Sequence, residues 1–287
     1  MNDFEFLINV KELRANFERD DWRIVDCRFN LLEPEQGFSD YQAGHIPGAS
    51  YAHLDRDLAG PVTETSGRHP LPDADAMSAT LAGMGIGNSH QVVVYDDASG
   101  AIAARLWWLL KWLGHSRVAL LNGGYKAWSK TGPVSQITPE LPAATFTGRP
   151  DMGRVISTAE LVRRLDSDKS AALVDARDPA RFAGEVEPID DVAGHVPGAR
   201  NFPFNQNLAE NGHWLDADSI ASGWAALGDS SGESEKIVMC GSGVTACHLA
   251  LSAEIAGLRP PLLYVGSWSE WIRDPLRPVA TGKGHGG

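Results

Sequence analysis

Short runs of Val, Ile and Leu recur along the chain, separated by segments long enough for helices. Residues 92–95, 118–121, 237–239 and 262–265 read as strands, and residues 101–113 and 245–256 as helices. Strands alternating with helices predict an α/β fold on a largely parallel sheet, a construction that places ligands outside the carboxyl ends of its strands. The pattern also occurs twice. Ala43-Gly-His-Ile-Pro-Gly-Ala49 returns as Ala193-Gly-His-Val-Pro-Gly-Ala199, and Ile24-Val-Asp-Cys-Arg28 returns as Leu173-Val-Asp-Ala-Arg177. Leu121-Asn-Gly-Gly-Tyr-Lys-Ala-Trp128 matches Tyr264-Val-Gly-Ser-Trp-Ser-Glu-Trp271 in the same order, so the chain is a tandem duplication. Between the copies, Pro133, Pro139, Pro142 and Pro150 interrupt a stretch with little apolar periodicity, as an extended linker would. The expected division is a first domain over 1–138, a linker over 139–152 and a second domain over 153–287. The cluster Trp107, Trp108 and Trp112 reads as packing, not as a ligand box.

Composition narrows the partners. The 287 residues carry 37 acidic and 25 basic side chains, a formal net charge of −12, which argues against nucleic acid or an anionic membrane as the main partner. The opening Met-Asn-Asp-Phe-Glu-Phe has acids where a signal peptide needs a basic start, and no apolar stretch approaches the roughly 20 residues of a membrane span. The expected location is cytoplasmic. Three cysteines, Cys27, Cys240 and Cys247, give an odd count without framework spacing, so reduced thiols are expected.

One of these thiols sits where chemistry is expected. Cys240-Gly-Ser-Gly-Val-Thr-Ala-Cys247 follows the strand-like Ile237-Val-Met239 and leads into a helix. At such a strand-to-helix turn, glycines let successive N–H groups point inward, and with the positive end of the helix they form an anion-binding cup under the sulfur. An ordinary thiol has a pKa near ~8.5, and a cup of this kind favours its thiolate. A buried structural cysteine is the alternative, and Gly241, Ser242, Gly243 and Thr245 around the sulfur weigh against it. Cys247, two residues into the helix, reads as a small buried apolar group, with a resolving thiol as the second reading.

An Asp-x-Arg strand end, a Gly-His-Ile/Val-Pro-Gly-Ala segment, a cysteine loop and a Gly-Gly-x-x-x-Trp-like segment, twice over, resemble the rhodanese family of sulfurtransferases. The resemblance covers nearly the whole chain, and the loop from Cys240 to Ala246 is most similar to 3-mercaptopyruvate sulfurtransferases. It implies two tandem rhodanese-like domains, each a mainly parallel sheet flanked by helices, of which the second is catalytic. In the first copy the strand runs into Asp96-Asp97-Ala-Ser-Gly100, so Tyr95 or Asp96 stands where the thiol would be.

The resemblance further implies that Cys240 attacks a small-molecule sulfur donor and becomes a persulfide. Gly241, Gly243, Val244 and Thr245 would hold that anion, and the Ser242 and Thr245 hydroxyls would donate to it or to the donor. A thiol, thioredoxin or cyanide would then take the outer sulfur, with no metal or organic cofactor. Asp55 and His69 match residues of the mercaptopyruvate enzymes that approach the loop serine from the first domain, so a proton relay with Ser242 is implied. Arg181 matches a donor-binding arginine able to grip a carboxylate. A second arginine, usual about nine residues on, is missing, since Ile189 follows Glu187-Pro188. The Asp26/Arg28 and Asp175/Arg177 pairs and the segments of His45 and His195 occur in both copies and are therefore expected to be structural.

Three other readings remain. A phosphatase of the same fold needs an arginine six positions after the cysteine, and position 246 is Ala. A noncatalytic binding or regulatory module would have lost its cysteine. Thiosulfate, with cyanide as acceptor, competes with mercaptopyruvate as donor: the neutral loop favours mercaptopyruvate, and the missing arginine favours thiosulfate.

Overall fold

The computed structural model describes residues 3–167, 172–228 and 235–283. Two compact units divide the chain. Unit 1 comprises Met1–Gly60, Leu71–Asp151 and Glu210–Trp214, and unit 2 comprises Pro61–Pro70, Met152–Ala209 and Leu215–Gly287. The strap Pro61–Pro70 therefore belongs with unit 2, although it falls within the first repeat.

Unit 1 is built on five parallel strands: β1 (Leu7–Ile8), β2 (Trp22–Asp26), β3 (Ala49–Tyr51), β4 (Gln91–Tyr95) and β5 (Val118–Leu121), in the order β1-β5-β4-β2-β3. Unit 2 repeats this with β6 (Val155–Ile156), β7 (Ala172–Asp175), β8 (Arg200–Asn201), β9 (Lys236–Met239) and β10 (Leu262–Tyr264), in the order β6-β10-β9-β7-β8. The central strands β2, β4, β5 and β9 are buried at every position, which is why their sequences are almost continuously apolar.

Each sheet has its own core. Ile24, Val93, Tyr95, Leu121 and Trp128 pack together in unit 1, and Leu173, Ile237, Met239, Tyr264, Trp268 and Trp271 in unit 2. Trp107, Trp108 and Trp112 lie buried on the helix Ala103–Trp112, as packing residues. Among the described residues, no helix is long and apolar enough to cross a membrane.

The repeated motifs brace the same places. Asp26 pairs with Arg28, whose Nη2 also donates to the Gly44 carbonyl at 2.7 Å; Asp175 pairs with Arg177, whose Nη2 donates to the Gly194 carbonyl at 2.7 Å. His45 stacks on Tyr41 with ring centroids 4.0 Å apart, and His195 on Phe182 at 3.8 Å, each with Nδ1 on the carbonyl of the residue it stacks against. Backbone bridges from His45 to Ser135 and from His195 to Ala280 complete the parallel.

Candidate active site

Strand β9 ends at Met239, and the next residue, Cys240, begins a five-residue turn before the helix Thr245–Ile255. The turn must double back tightly. Gly243 takes a left-handed φ of 78°, and a Cβ there would lie 2.4 Å from the Val265 carbonyl oxygen, so only glycine fits. The result of this fold-back is that the Gly243 N–H donates to Cys240 Sγ at 3.1 Å. The helix that follows starts at Thr245 with Val244 as its N-cap and has no side-chain cap, so its first amides lack intrahelical acceptors. Cys240 itself is buried. Cys247 donates to the Gly243 carbonyl at 3.2 Å and is a buried, packed thiol.

The backbone of Cys240 is anchored by a residue outside the cysteine turn. Ser267, at a left-handed φ of 53°, accepts the Cys240 N–H at 3.1 Å and donates to the Tyr264 carbonyl at 2.9 Å. The neighbouring Trp268 N–H donates to the Cys240 carbonyl at 3.0 Å. In unit 1 the Tyr125 N–H reaches the Asp96 carbonyl at 2.8 Å in the same way, so Asp96, and not Tyr95, occupies the place of the thiol. Its carboxylate accepts the N–H groups of Ala98, Gly100, Ile102 and Ala103 at 2.8–2.9 Å, so the cup of unit 1 is filled by its own side chain.

Of the expected relay, His69 and Ser242 meet. The ring Nδ1 and the hydroxyl are 2.7 Å apart, both residues buried, and the strap that carries His69 is held by the Arg68 N–H on Ser269 Oγ at 3.1 Å. Asp55 lies in unit 1, in the short helix Leu54–Asp57, where its N–H caps onto His53 Nδ1 at 3.2 Å. Thr245 is half-buried at the first turn of the helix.

Charge converges on the turn from the helix Pro179–Ala183 with the loop after it, and from the strap Pro61–Pro70. Arg181 forms a forked pair with Glu187 at 2.7 and 3.1 Å and reaches Asp190 at 3.2 Å; Arg68 pairs with the other oxygen of Asp190. Burial would raise the Glu187 carboxyl, but Arg181 and the Ile189 and Asp190 amides hold it below the ordinary glutamate range. Burial wins at Asp190 and pushes its carboxyl up against the pull of both arginines. Arg177, expected only as a brace, is also electrostatically coupled to Cys240: burial opposes its charge, and Asp175, Glu187 and Cys240 together sustain it. It stacks over Trp268 at 4.8 Å from the ring centroid. Symmetry hides this, because its counterpart Arg28 has no thiol to face.

A buried thiol on a turn of inward amides, with a hydroxyl–imidazole pair and guanidinium groups around it, can hold and stabilise a sulfur-centred anion. Comparison with known proteins agrees. The model of the rhodanese-like domain matches residues 9–131 and 157–274. The chain is 46% identical over 279 residues to a probable 3-mercaptopyruvate sulfurtransferase of Pseudomonas aeruginosa, covering 96% of this chain and 98% of that one. It is 37% identical to a putative thiosulfate sulfurtransferase of Mycobacterium tuberculosis, over 97% and 98% of the two chains. Among solved structures it resembles the 3-mercaptopyruvate sulfurtransferase of Leishmania major, with a TM-score of 0.81, 30% identity and 95% of this chain and 76% of that one covered.

Proposed function

The chain belongs to the rhodanese family, and from that premise we propose that it is a sulfurtransferase moving a sulfane sulfur from 3-mercaptopyruvate to a thiol or cyanide through a persulfide on Cys240. The observation that carries the reading is the Gly243 N–H on Cys240 Sγ, in the turn that leads into the N-terminus of the helix Thr245–Ile255. The Cys240 thiolate attacks the donor sulfur and the carbon–sulfur bond breaks. Its electron pair departs with the three-carbon fragment as the enolate of pyruvate, which must take a proton. Ser242, paired with His69 at 2.7 Å, is placed to deliver one and be recharged. The acceptor then attacks the outer sulfur and restores the Cys240 thiolate.

The carboxylate of mercaptopyruvate is the group for Arg181, and the named activity of the Pseudomonas aeruginosa relative supports this donor. The Mycobacterium tuberculosis relative supports thiosulfate as the competing one. The resemblance adds Asp55 as a third relay member, and a lowered kcat in Asp55→Asn with KM unchanged is the outcome expected of it.

The test is kcat/KM with each donor, dithiothreitol and cyanide serving as acceptors, together with the intact mass of the enzyme after donor alone. One added sulfur on the wild type and none on Cys240→Ser is expected. Turnover that survives in Cys240→Ser would refute the persulfide scheme.

A further inference from the structure

Beside Cys240, two guanidinium groups from distant parts of the sequence converge on one point. We propose that Arg68 is a donor-binding residue: with Arg181 it grips the carboxylate of the sulfur donor over Gly241 and sets the preference for carboxylate-bearing donors. This rests on the sulfurtransferase reading above.

A Cβ on Gly241 would lie 2.9 Å from Arg68 Nη2 and 3.6 and 3.8 Å from the Nη2 and Nη1 of Arg181. The absence of a side chain keeps that point open, next to the reacting sulfur. Arg68 is only partly used within the protein. Its Nη1 pairs with Asp190, while its buried Nε has no hydrogen-bond partner among the described residues. Buried N–H groups are nearly always matched, so one left over is what a bound acceptor satisfies.

Asp190 and Glu187 hold the two cations from one side. Their side chains are 4% exposed, against 23% for Arg68 and 17% for Arg181, so the open side of the cluster presents the cations. A planar carboxylate suits the paired N–H donors that guanidinium groups present. The strap is also held by contacts other than the Arg68 side chain. Its backbone is fixed by the Arg68 N–H on Ser269 and by Arg273 Nε on the Ser66 carbonyl at 3.3 Å, and its His69 by Ser242.

The experiment compares wild type, Arg68→Ala and Arg68→Lys, varying 3-mercaptopyruvate with dithiothreitol as acceptor. In parallel, each enzyme is loaded with sulfur from inorganic polysulfide, which has no carboxylate, and its discharge to dithiothreitol is followed in a single turnover. Arg68→Ala is expected to raise KM for mercaptopyruvate about 10- to 100-fold, the worth of one charge-assisted pair, with kcat changed less than about threefold. Arg68→Lys is expected to recover part of the loss, and discharge to stay at the wild-type rate in both. An unchanged KM in Arg68→Ala overturns the proposal, and so does a discharge rate that falls in step with kcat/KM, which would make Arg68 a structural tie. A wild type that takes no sulfur from mercaptopyruvate defeats the functional reading and the proposal together; an active wild type with an indifferent Arg68→Ala defeats the proposal alone.

Discussion

At position 267 two energies oppose each other. A left-handed backbone costs a non-glycine residue roughly 1–2 kcal/mol, and the equivalent residue of unit 1, Gly124, holds the same conformation at φ 56° without that cost. Ser267 accepts the strain and in return matches the buried Cys240 N–H. Removing that acceptor leaves a buried donor unmatched, worth about 1–3 kcal/mol, and a glycine in its place adds chain entropy of about 0.5–1 kcal/mol. Ser267→Gly is therefore expected to lose about 1 kcal/mol in urea titration and to lower kcat, because the residue bearing the thiol loses its anchor. A variant at least as stable as wild type would mean that strain dominates. Cys240 and Ser242 were legible in the sequence because a glycine-rich turn after an apolar run has few other uses. Ser267 was legible only on comparing the repeats, where serine replaces glycine at a left-handed position. Arg68 gave no signal, since its role depends on a fold-back that no periodicity announces.

The same limit appears among the elements. Alternating strands and helices were readable because burial on both faces writes long apolar runs, and both sheets have the expected parallel strands. The strap Pro61–Pro70 has prolines and no period, and it lies in the first repeat by sequence yet packs in unit 2. The His45 and His195 segments were read as structural from their symmetry, and in each unit the ring is buried and stacked; His195, with His115, supplies a pH test. Burial lowers its pKa, against the opposing Phe182 carbonyl and Asp175, and burial lowers that of His115 likewise. The folded protein thus binds fewer protons than the unfolded chain wherever the pH lies between the depressed values and the unfolded value near ~6.5. Stability from these residues is present above that unfolded value and declines as the pH falls through it. Between about pH 7 and pH 5 these histidines are expected to lower the urea midpoint. The buried Asp26, Asp96 and Asp190 carboxyls pull the opposite way, because their raised pKa values favour the folded state as the pH falls. The midpoint of His115→Gln is expected to fall less steeply than that of wild type. An equally steep fall in His115→Gln would assign the loss to other groups.

Over the whole molecule, duplication has produced two sheets of identical strand order whose turns carry different side chains at one position, Cys240 in unit 2 and Asp96 in unit 1. In unit 2 the turn donates the Gly243 N–H to a cysteine sulfur; in unit 1 the Asp96 carboxylate takes four N–H groups and fills the cup. One copy therefore keeps the geometry for a transient sulfur anion, and the other spends it on its own stability. Asp96→Asn separates the two roles. The amide keeps one acceptor oxygen, but its NH2 group meets two N–H donors, so two charge-assisted bonds are lost at about 1.5–3 kcal/mol each. Unit 1 is expected to lose at least about 3 kcal/mol, read by hydrogen exchange at the amides of Gly100 and Ala103. Below the onset of unfolding, sulfur loading of Cys240 should proceed at the wild-type rate, because no atom of Asp96 belongs to the turn that holds that sulfur. A loss of loading while those amides stay protected would show that the cup of unit 1 takes part in the reaction, and Asp96 would then have to be counted among the functional residues.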